Sequence, residues 1–308
     1  MRVLVIGGTG FIGRHVVARL VTAGHAVYVP TRLYQRGRDL LVHPSVNLFE
    51  ADVHDDQTLE QLVLESDAVI NLVGVLHSRS GQPFGADFAR AHVELPRRIA
   101  QACCKLEVRR LLHVSALGAS SHGPSGYQRS KAAGEAALAQ EFESFLGGAY
   151  TIFRPSVVFG PEDNFMNLFA RLAKWLPVVP LAGAKARLQP IYVGDVADVI
   201  AGSLSNPHTY GRTYAVAGMK VYTLGELVSL AARWSGHPRF VLPLPMMIGR
   251  LQAMMFEWLP GEPIMSRDNL DSLKVDNISI EPMAPELGVI PRSLEAVAPG
   301  YLRRKHPV

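Results

Sequence analysis

Cysteine is almost missing from this chain. Only Cys103 and Cys104 occur in 308 residues, and as sequence neighbours they offer neither a disulfide framework nor a structural zinc site. That scarcity points to a reducing compartment, which implies the cytoplasm. Long apolar runs are missing too: no window of 18 apolar residues exists, which excludes a transmembrane helix. The stretch 240–259 comes nearest, but Pro243, Pro245, Arg250 and Glu257 suit it to lie on a membrane surface rather than to span one. The apolar run after Met1-Arg2 meets glycines after four residues, too early for a signal peptide. Charged residues are only 19%, against 48% hydrophobic, which excludes disorder, coiled coil and low-complexity scaffolds. Basic runs are confined to Arg303-Arg304-Lys305, and a net charge of +4 gives no case for nucleic acid. Acidic residues are absent from the first 38 positions, which hold Arg2, Arg14, Arg19, Arg32, Arg36 and Arg38. Those six positives exceed the whole-chain +4, so the remainder is net negative and an anionic ligand is expected near the N-terminal end.

What is present is a strict alternation. Residues 2–7, 26–31, 46–51, 68–74, 110–115 and 150–155 are short runs rich in Val, Ile and Leu, which predict strands. Residues 13–23, 58–64, 88–104 and 130–142 carry apolar residues every three to four positions, which predicts helices. Continuous apolar strands alternating with helices predict an α/β fold, a doubly wound parallel sheet of the Rossmann type. From about Phe159 prolines and glycines multiply and the pattern becomes irregular, while 213–218 is suited to return one strand to the sheet. The expected organisation is 1–158 with 191–218 as a dinucleotide-binding domain, and 159–190 with 219–308 as a smaller mixed substrate or partner region.

The first strand runs into GGTGFIG and then a helix. Gly7, Gly10 and Gly13 allow a tight turn, close approach of backbone to a pyrophosphate, and tight helix–strand packing. Thr9, Gly10, Phe11, Ile12 and Gly13 then present the free N–H groups of a helix N-terminus to phosphate. The second strand ends Pro30-Thr31-Arg32, without the carboxylate that receives the ribose 2′-OH of NAD. Arg32, assisted by Arg36 or Arg14, suits a 2′-phosphate, so NADP(H) is expected in preference to NAD(H); the alternative is that these arginines only solvate the surface. Asp52 and Val53 are placed to receive the adenine. Leu72, Val73 and Gly74 end the fourth strand beside the cofactor, and Asn71 either faces it or bonds within the sheet.

Tyr127 and Lys131 are four residues apart and share one helix face. An ammonium beside a phenol is expected to lower its pKa from near 10, making a usable acid or base, and lysine also suits the nicotinamide ribose. Ser115 ends the fifth strand, placed to orient a substrate oxygen. Together GGTGFIG, Asn71–Gly74, Ser115, Tyr127-x-x-x-Lys131 and the run 154–161 (RPSVVFGP) resemble the extended or atypical short-chain dehydrogenase/reductases. Residues 160–170, 189–200, FVLPLP and EPIMSRDNL resemble, more narrowly, the bacterial relatives of the NADPH-binding accessory subunit of respiratory complex I. The resemblance implies cofactor contacts at Pro155, Val157 and Val158. It also implies hydride transfer to or from a carbonyl or alcohol carbon, with Tyr127 as acid/base. Against the family pattern, Ala116 and Leu117 stand where a working serine is usual, so the serine is Ser115, a loop serine (Ser120, Ser121 or Ser125), or none. His92 replaces a frequent asparagine and is expected as a packed core histidine.

Met246, Met247, Met254, Met255 and Met265, with Phe240, Phe256 and Trp258, form an adaptable apolar segment. It is expected either as an ordinary core helix under a lid, or as an apolar cavity or contact surface above the nicotinamide. The second reading implies a small apolar or quinone-like substrate, or contact with a membrane surface or respiratory complex, at the inner face of the membrane. An NADPH-binding accessory protein of a respiratory or ubiquinone-biosynthetic assembly is a second expectation. Nucleotide-sugar epimerase or dehydratase chemistry, with Arg187-Leu188-Gln189 supplying polar groups, is a third.

Overall fold

A computed structural model describes residues 1–258 and 265–303. Leu259, Glu262, Pro263 and Ile264 of the C-terminal motifs, and Arg304 and Lys305 of the basic tail, lie outside the described residues. The chain runs β1 (Arg2–Ile6), α1 (Phe11–Thr22), β2 (Ala26–Thr31), β3 (Val46–Glu50), α2 (Asp56–Leu64), β4 (Ala68–Asn71), α3 (Ala86–Phe88), α4 (Leu95–Lys105), β5 (Arg110–Val114), α5 (Gly126–Glu143) and β6 (Ala149–Pro155). It continues through β7 (Val158–Phe159), α6 (Met166–Trp175), β8 (Val178–Ala182), β9 (Arg187–Leu188), β10 (Ile191–Tyr192), α7 (Val193–Ser203), β11 (Arg212–Val216) and β12 (Tyr222–Thr223). Last come α8 (Leu224–Trp234), β13 (Phe240–Leu244), α9 (Met246–Glu257), α10 (Arg267–Ser272) and α11 (Leu294–Leu302).

Seven strands form one sheet in the order β11-β6-β5-β4-β1-β2-β3, and every pairing in it is parallel. The expected doubly wound sheet is therefore present, and 213–218 supplies its edge strand β11. Alternation along the strands divides the core. Val3 and Val5 face one way and pack with Val16, Leu20 and Val199 from α1 and α7. Leu4 and Ile6 face the other way and pack with Leu59, Ile99 and Leu138 from α2, α4 and α5. Strand order reverses between β1 and β4, which opens a crevice at their carboxyl ends where such sheets bind ligands.

The helix expected over 88–104 is α3 and α4 joined through a wider π-type turn, Ala89–Glu94, a local irregularity common at functional sites. A third core, built on Phe159, Met166, Leu181, Leu227 and Ala298, unites α6, α8 and α11. Leu287, with Met283 and Ala284 beside it, packs instead against the main sheet's α7 side. No helix among the described residues is long and apolar enough to cross a membrane.

Candidate functional site

The glycines of the first turn stand where no side chain fits. Gly7 has φ +85°, and a Cβ on it would lie 3.1 Å from the Leu72 carbonyl carbon and the Val73 nitrogen. A Cβ on Gly13 would lie 2.4 Å from the Gly7 carbonyl oxygen, inside any real contact distance. The end of β1 at Gly7 thus meets the end of β4 at Leu72 and Val73, with Thr9, Gly10, Phe11 and Ile12 following Gly7 into α1. Helix α1 starts there with no side-chain cap and no acidic residue in its first turn. An uncapped helix N-terminus behind a backbone-tight turn fits the pyrophosphate of a dinucleotide.

The adenosine end is less simple than the sequence suggested. Arg32, Glu50, Ala51 and Asp52 line one shallow pocket, so a carboxylate does lie close to the end of β2. This corrects the expectation that none is near: Thr31 and Glu50 are register partners in the parallel β2–β3 pair. Glu50 accepts the Tyr34 backbone N–H at 2.8 Å. Arg32 and Arg36 form no ion pair among the described residues and are exposed, whereas Arg14 is held by Asp39 and Glu162, each at 2.9 Å. Asp52 accepts the His54 N–H at 2.9 Å, and Val53 packs against the adjoining core.

Across the crevice, a capping box at Ser125 and Gln128 starts α5, with Tyr127 in its first turn and Lys131 one turn further on. Lys131 is 3% exposed and donates to the Val114 carbonyl at 3.2 Å. Burial pushes its ammonium down to about 8, with Glu135 opposing the shift. A Cβ on Gly74 would lie 3.2 Å from the Lys131 Nζ, so the strand end and the ammonium are close neighbours. The phenol departs from expectation. Burial, and then the Asp268 carboxylate, push Tyr127 up to about 12 rather than down. Asp268, from α10, accepts the Gly126 N–H at 2.6 Å and the Tyr127 N–H at 3.1 Å. It falls in the EPIMSRDNL motif, but nothing in that motif's local pattern assigns it to the α5 N-terminus.

His92 is the second residue whose role the sequence understated. It is 1% exposed, stacks on Phe88 at 5.2 Å between centroids, and meets the Tyr127 ring edge-on at 5.5 Å. Its Nε2 accepts the Val75 N–H at 3.0 Å and its Nδ1 meets the Ser130 Oγ at 2.9 Å, while Ser130 donates to the Tyr127 carbonyl. Burial, with the Lys131 ammonium second, pushes His92 down to about 2, so it stays neutral and its Nε2 remains an acceptor. His92 therefore ties the backbone after Gly74 to the turn that carries Tyr127. Asn71 takes the structural option: its carboxamide bridges the His113 Nδ1 at 3.2 Å and the Val73 N–H at 3.1 Å.

Among the serines, Ser125 is consumed by its cap, and Ser120 and Ser121 are exposed and bonded to His122. Ser115 is 3% exposed, and its Oγ has no partner among the described residues. Pro155, Val157 and Val158 follow at the end of β6, where the Leu117 N–H and the Ile191 N–H bond to the Pro155 and Val157 carbonyls. A cavity of about 460 Å³ reaches the α5 N-terminus, lined by Phe84, Phe88, Gly126, Arg129, Arg250 and Asp268. Arg187 and Gln189 are committed elsewhere, to Asp276 and to the backbone of Gly218 and Ser279. The Met-rich segment lends Arg250 and Glu257 to this cavity, but its methionines do not line it. Met247 and Met255 are 84% and 62% exposed, while Met246 and Met265 join a small core with Ala182.

The family model described as the NAD dependent epimerase/dehydratase family matches residues 3–217. The chain is 34% identical over 308 residues to the rat (Rattus norvegicus) NADH dehydrogenase [ubiquinone] 1 alpha subcomplex subunit 9, covering 97% of this chain and 79% of that protein. It is 30% identical over 251 residues to the ceramide reductase of Caulobacter vibrioides, covering 79% of this chain and 73% of that one. The solved UDP-glucose 4-epimerase of Thermus thermophilus in complex with NAD superposes with a TM-score of 0.67 at 26% identity, covering 89% of this chain and 99% of that chain.

Proposed function

The chain belongs to the NAD dependent epimerase/dehydratase family, and from that premise we propose that it is an NADP(H)-dependent oxidoreductase acting on a carbonyl or alcohol carbon of an apolar, quinone-like or lipid-like substrate. The observation that supports this reading is Lys131 meeting the ends of β4 and β5, at Gly74 and the Val114 carbonyl, next to the buried, unpartnered Ser115 Oγ, with Tyr127 one turn earlier on α5 against His92. Gly7, Gly10, Gly13 and the first N–H groups of α1 would hold the pyrophosphate, and Lys131 the nicotinamide ribose. When bound, the nicotinamide supplies hydride chemistry. Ser115 orients the substrate oxygen and Tyr127 holds the proton exchanged with it. Incubation with 4-deuterated NADPH is expected to yield carbon-deuterated alcohol from a panel of long-chain ketones. Incubation with quinones is expected to yield quinol, followed by the loss of NADPH and quinone absorbance because a quinol keeps no carbon-bound deuterium. Transfer only to UDP- or GDP-sugars would replace this reading by nucleotide-sugar chemistry, which the commitment of Arg187 and Gln189 to internal partners disfavours.

The NADP(H) preference rests on Arg32, exposed beside the pocket that Glu50 and Asp52 share. Replacing Arg32 by Ala is expected to weaken NADPH binding about tenfold or more and to leave NADH nearly unchanged, as for loss of one charge-assisted contact. Calorimetric titration of both nucleotides checks it; equal losses would remove the selectivity argument.

A second reading is favoured by the relative named as a subunit of NADH dehydrogenase [ubiquinone], which matches 97% of this chain. A phenol held near 12 and a carboxylate already seated on the α5 N-terminus suit a protein that keeps NADPH as a structural ligand. Its partner would be a respiratory or ubiquinone-biosynthetic assembly at the inner face of a membrane. Tight nucleotide retention without deuterium transfer to any acceptor would favour it.

A further inference from the structure

Helix α9 is built inside out. Its small residues face the protein: Gly249 and Ala253 are buried, and a Cβ on Gly249 would lie 2.3 Å from the Ala182 Cβ. Its large apolar residues face away. Met247 is 84% exposed, Leu251 57%, Met255 62% and Trp258 80%, with Ile248 at 50%. Positions 247, 251, 255 and 258 recur once per turn, so these side chains form one ridge along the helix.

The ridge continues onto the neighbouring ribbon. Strands β8 and β13 pair in parallel with Phe240 opposite Val178 and Leu244 opposite Ala182. Val179, Leu181 and Val241 turn one ribbon face into the third core. The opposite face carries Ala182 and Leu244, packed with α9, and then Val178, Phe240 and Leu242, which are 39%, 67% and 44% exposed. Trp175 ends α6 three residues before Val178 and is 79% exposed. Nine large apolar side chains thus share one patch, bounded by two tryptophans.

The unpaired charge on the elements that carry the patch is positive. Elements α6, β8, β13 and α9, with the flanking Arg239, carry Arg171, Lys174, Arg239 and Arg250. Arg250 is paired with Asp271 of α10 at 2.6 Å, and the one carboxylate of these elements, Glu257, with Arg267 at 2.8 Å, which leaves Arg171, Lys174 and Arg239. Lys174 lies 5.7 Å above the Trp175 ring, and Arg239 donates to the Ala173 carbonyl at 2.8 Å, which fixes this edge of the rim. Exposed apolar side chains flanked by tryptophans and cations, with no free carboxylate among these elements, match the interface of an anionic bilayer.

We propose that this face docks on an anionic lipid bilayer, with the α9 ridge entering the headgroup boundary and Arg171, Lys174 and Arg239 meeting lipid phosphates. The proposal stands on the surface alone and does not depend on hydride transfer. The same helix supplies Arg250 to the cavity beside Tyr127, so docking sets that cavity's mouth beside the membrane surface.

The test is co-sedimentation of the full chain with phosphatidylcholine vesicles, with and without phosphatidylglycerol. The expected result is pelleting with the anionic vesicles at low salt, weakening as salt rises, and a blue-shifted tryptophan emission. The double variant Leu251→Glu/Met255→Glu is expected to lose binding at least about tenfold while retaining its circular dichroism and NADPH affinity. Trp258→Ser, a milder change at the same ridge, is expected to lose a smaller part. Wild-type protein left in the supernatant, or equal binding to pure phosphatidylcholine, would overturn the proposal. So would concentration-dependent self-association by light scattering that the double variant abolishes without any vesicle binding, which would assign the face to a second copy.

Discussion

Replacing Tyr127 by Phe is expected to lower turnover of an identified carbonyl substrate by about 10²–10⁴-fold, the range for loss of a positioned proton donor, while changing NADPH affinity far less. The phenol's protonation at neutral pH follows from its surroundings. Burial and Asp268 hold it at about 12, so it is protonated at neutral pH and ready to donate to a carbonyl oxygen as the carbon is reduced. Alcohol oxidation needs the phenolate and should therefore rise with pH through the alkaline range. Asp268→Asn removes the negative charge near the ring and keeps an oxygen for only one of the Gly126 and Tyr127 N–H groups, which Asp268 accepts on separate oxygens. That variant is expected to move the alkaline fall of carbonyl reduction to lower pH, a shift that a merely structural cap would not produce. Full turnover retained by Tyr127→Phe would remove the phenol from the mechanism and leave the accessory reading standing.

Which parts of this were readable beforehand follows from the range of the forces involved. Strands β1 and β4 are buried on both faces along most of their length, so they appear as apolar runs, β5 does so but for its buried Arg110 and His113, and the turn at Gly7–Gly13 is a local backbone requirement. Both are written in neighbouring residues. Asp268 lies 141 positions from Tyr127, and Glu50 reaches Arg32 only through the register of two parallel strands, so neither contact leaves a local trace. His92 was correctly expected as a packed histidine. The π-type turn that aims it at Val75, however, depends on how α4 seats against α5. Helix α9 misled for a different reason. Apolar residues at helical spacing are ordinarily the buried face, but here Gly249 and Ala253 are the only residues small enough for the close approach to Ala182. The large side chains are turned outward as a result.

Lys131 makes the second large prediction, because its value for function opposes its effect on stability. A lysine ordinarily titrating at 10.5 is held at about 8 by burial, and its neighbours His92 and His113 are neutral. Keeping that ammonium charged in the folded state costs roughly 3 kcal/mol at neutral pH, the free energy equivalent of the depressed pKa. The sign is fixed by proton counting. Below pH 8 both states hold the proton and the whole penalty is felt. Between about 8 and 10.5 the unfolded chain holds a proton that the folded chain has released, so this group's contribution to stability rises with pH. Lys131→Met keeps the length of the side chain and removes the charge. Part of the gain is offset by losing the bond to the Val114 carbonyl, about 1 kcal/mol, so the variant should be more stable than wild type by about 2 kcal/mol at pH 7. The difference should shrink towards zero, or reverse slightly, by pH 10, as urea unfolding of both proteins at several pH values would report. NADPH affinity should fall in the same variant under the proposed function, in which the ammonium binds a ribose hydroxyl and the penalty is a cost of function. A variant that is less stable than wild type at pH 7 would mean that Lys131 is satisfied within the protein, and would remove the physical ground for assigning it to the cofactor.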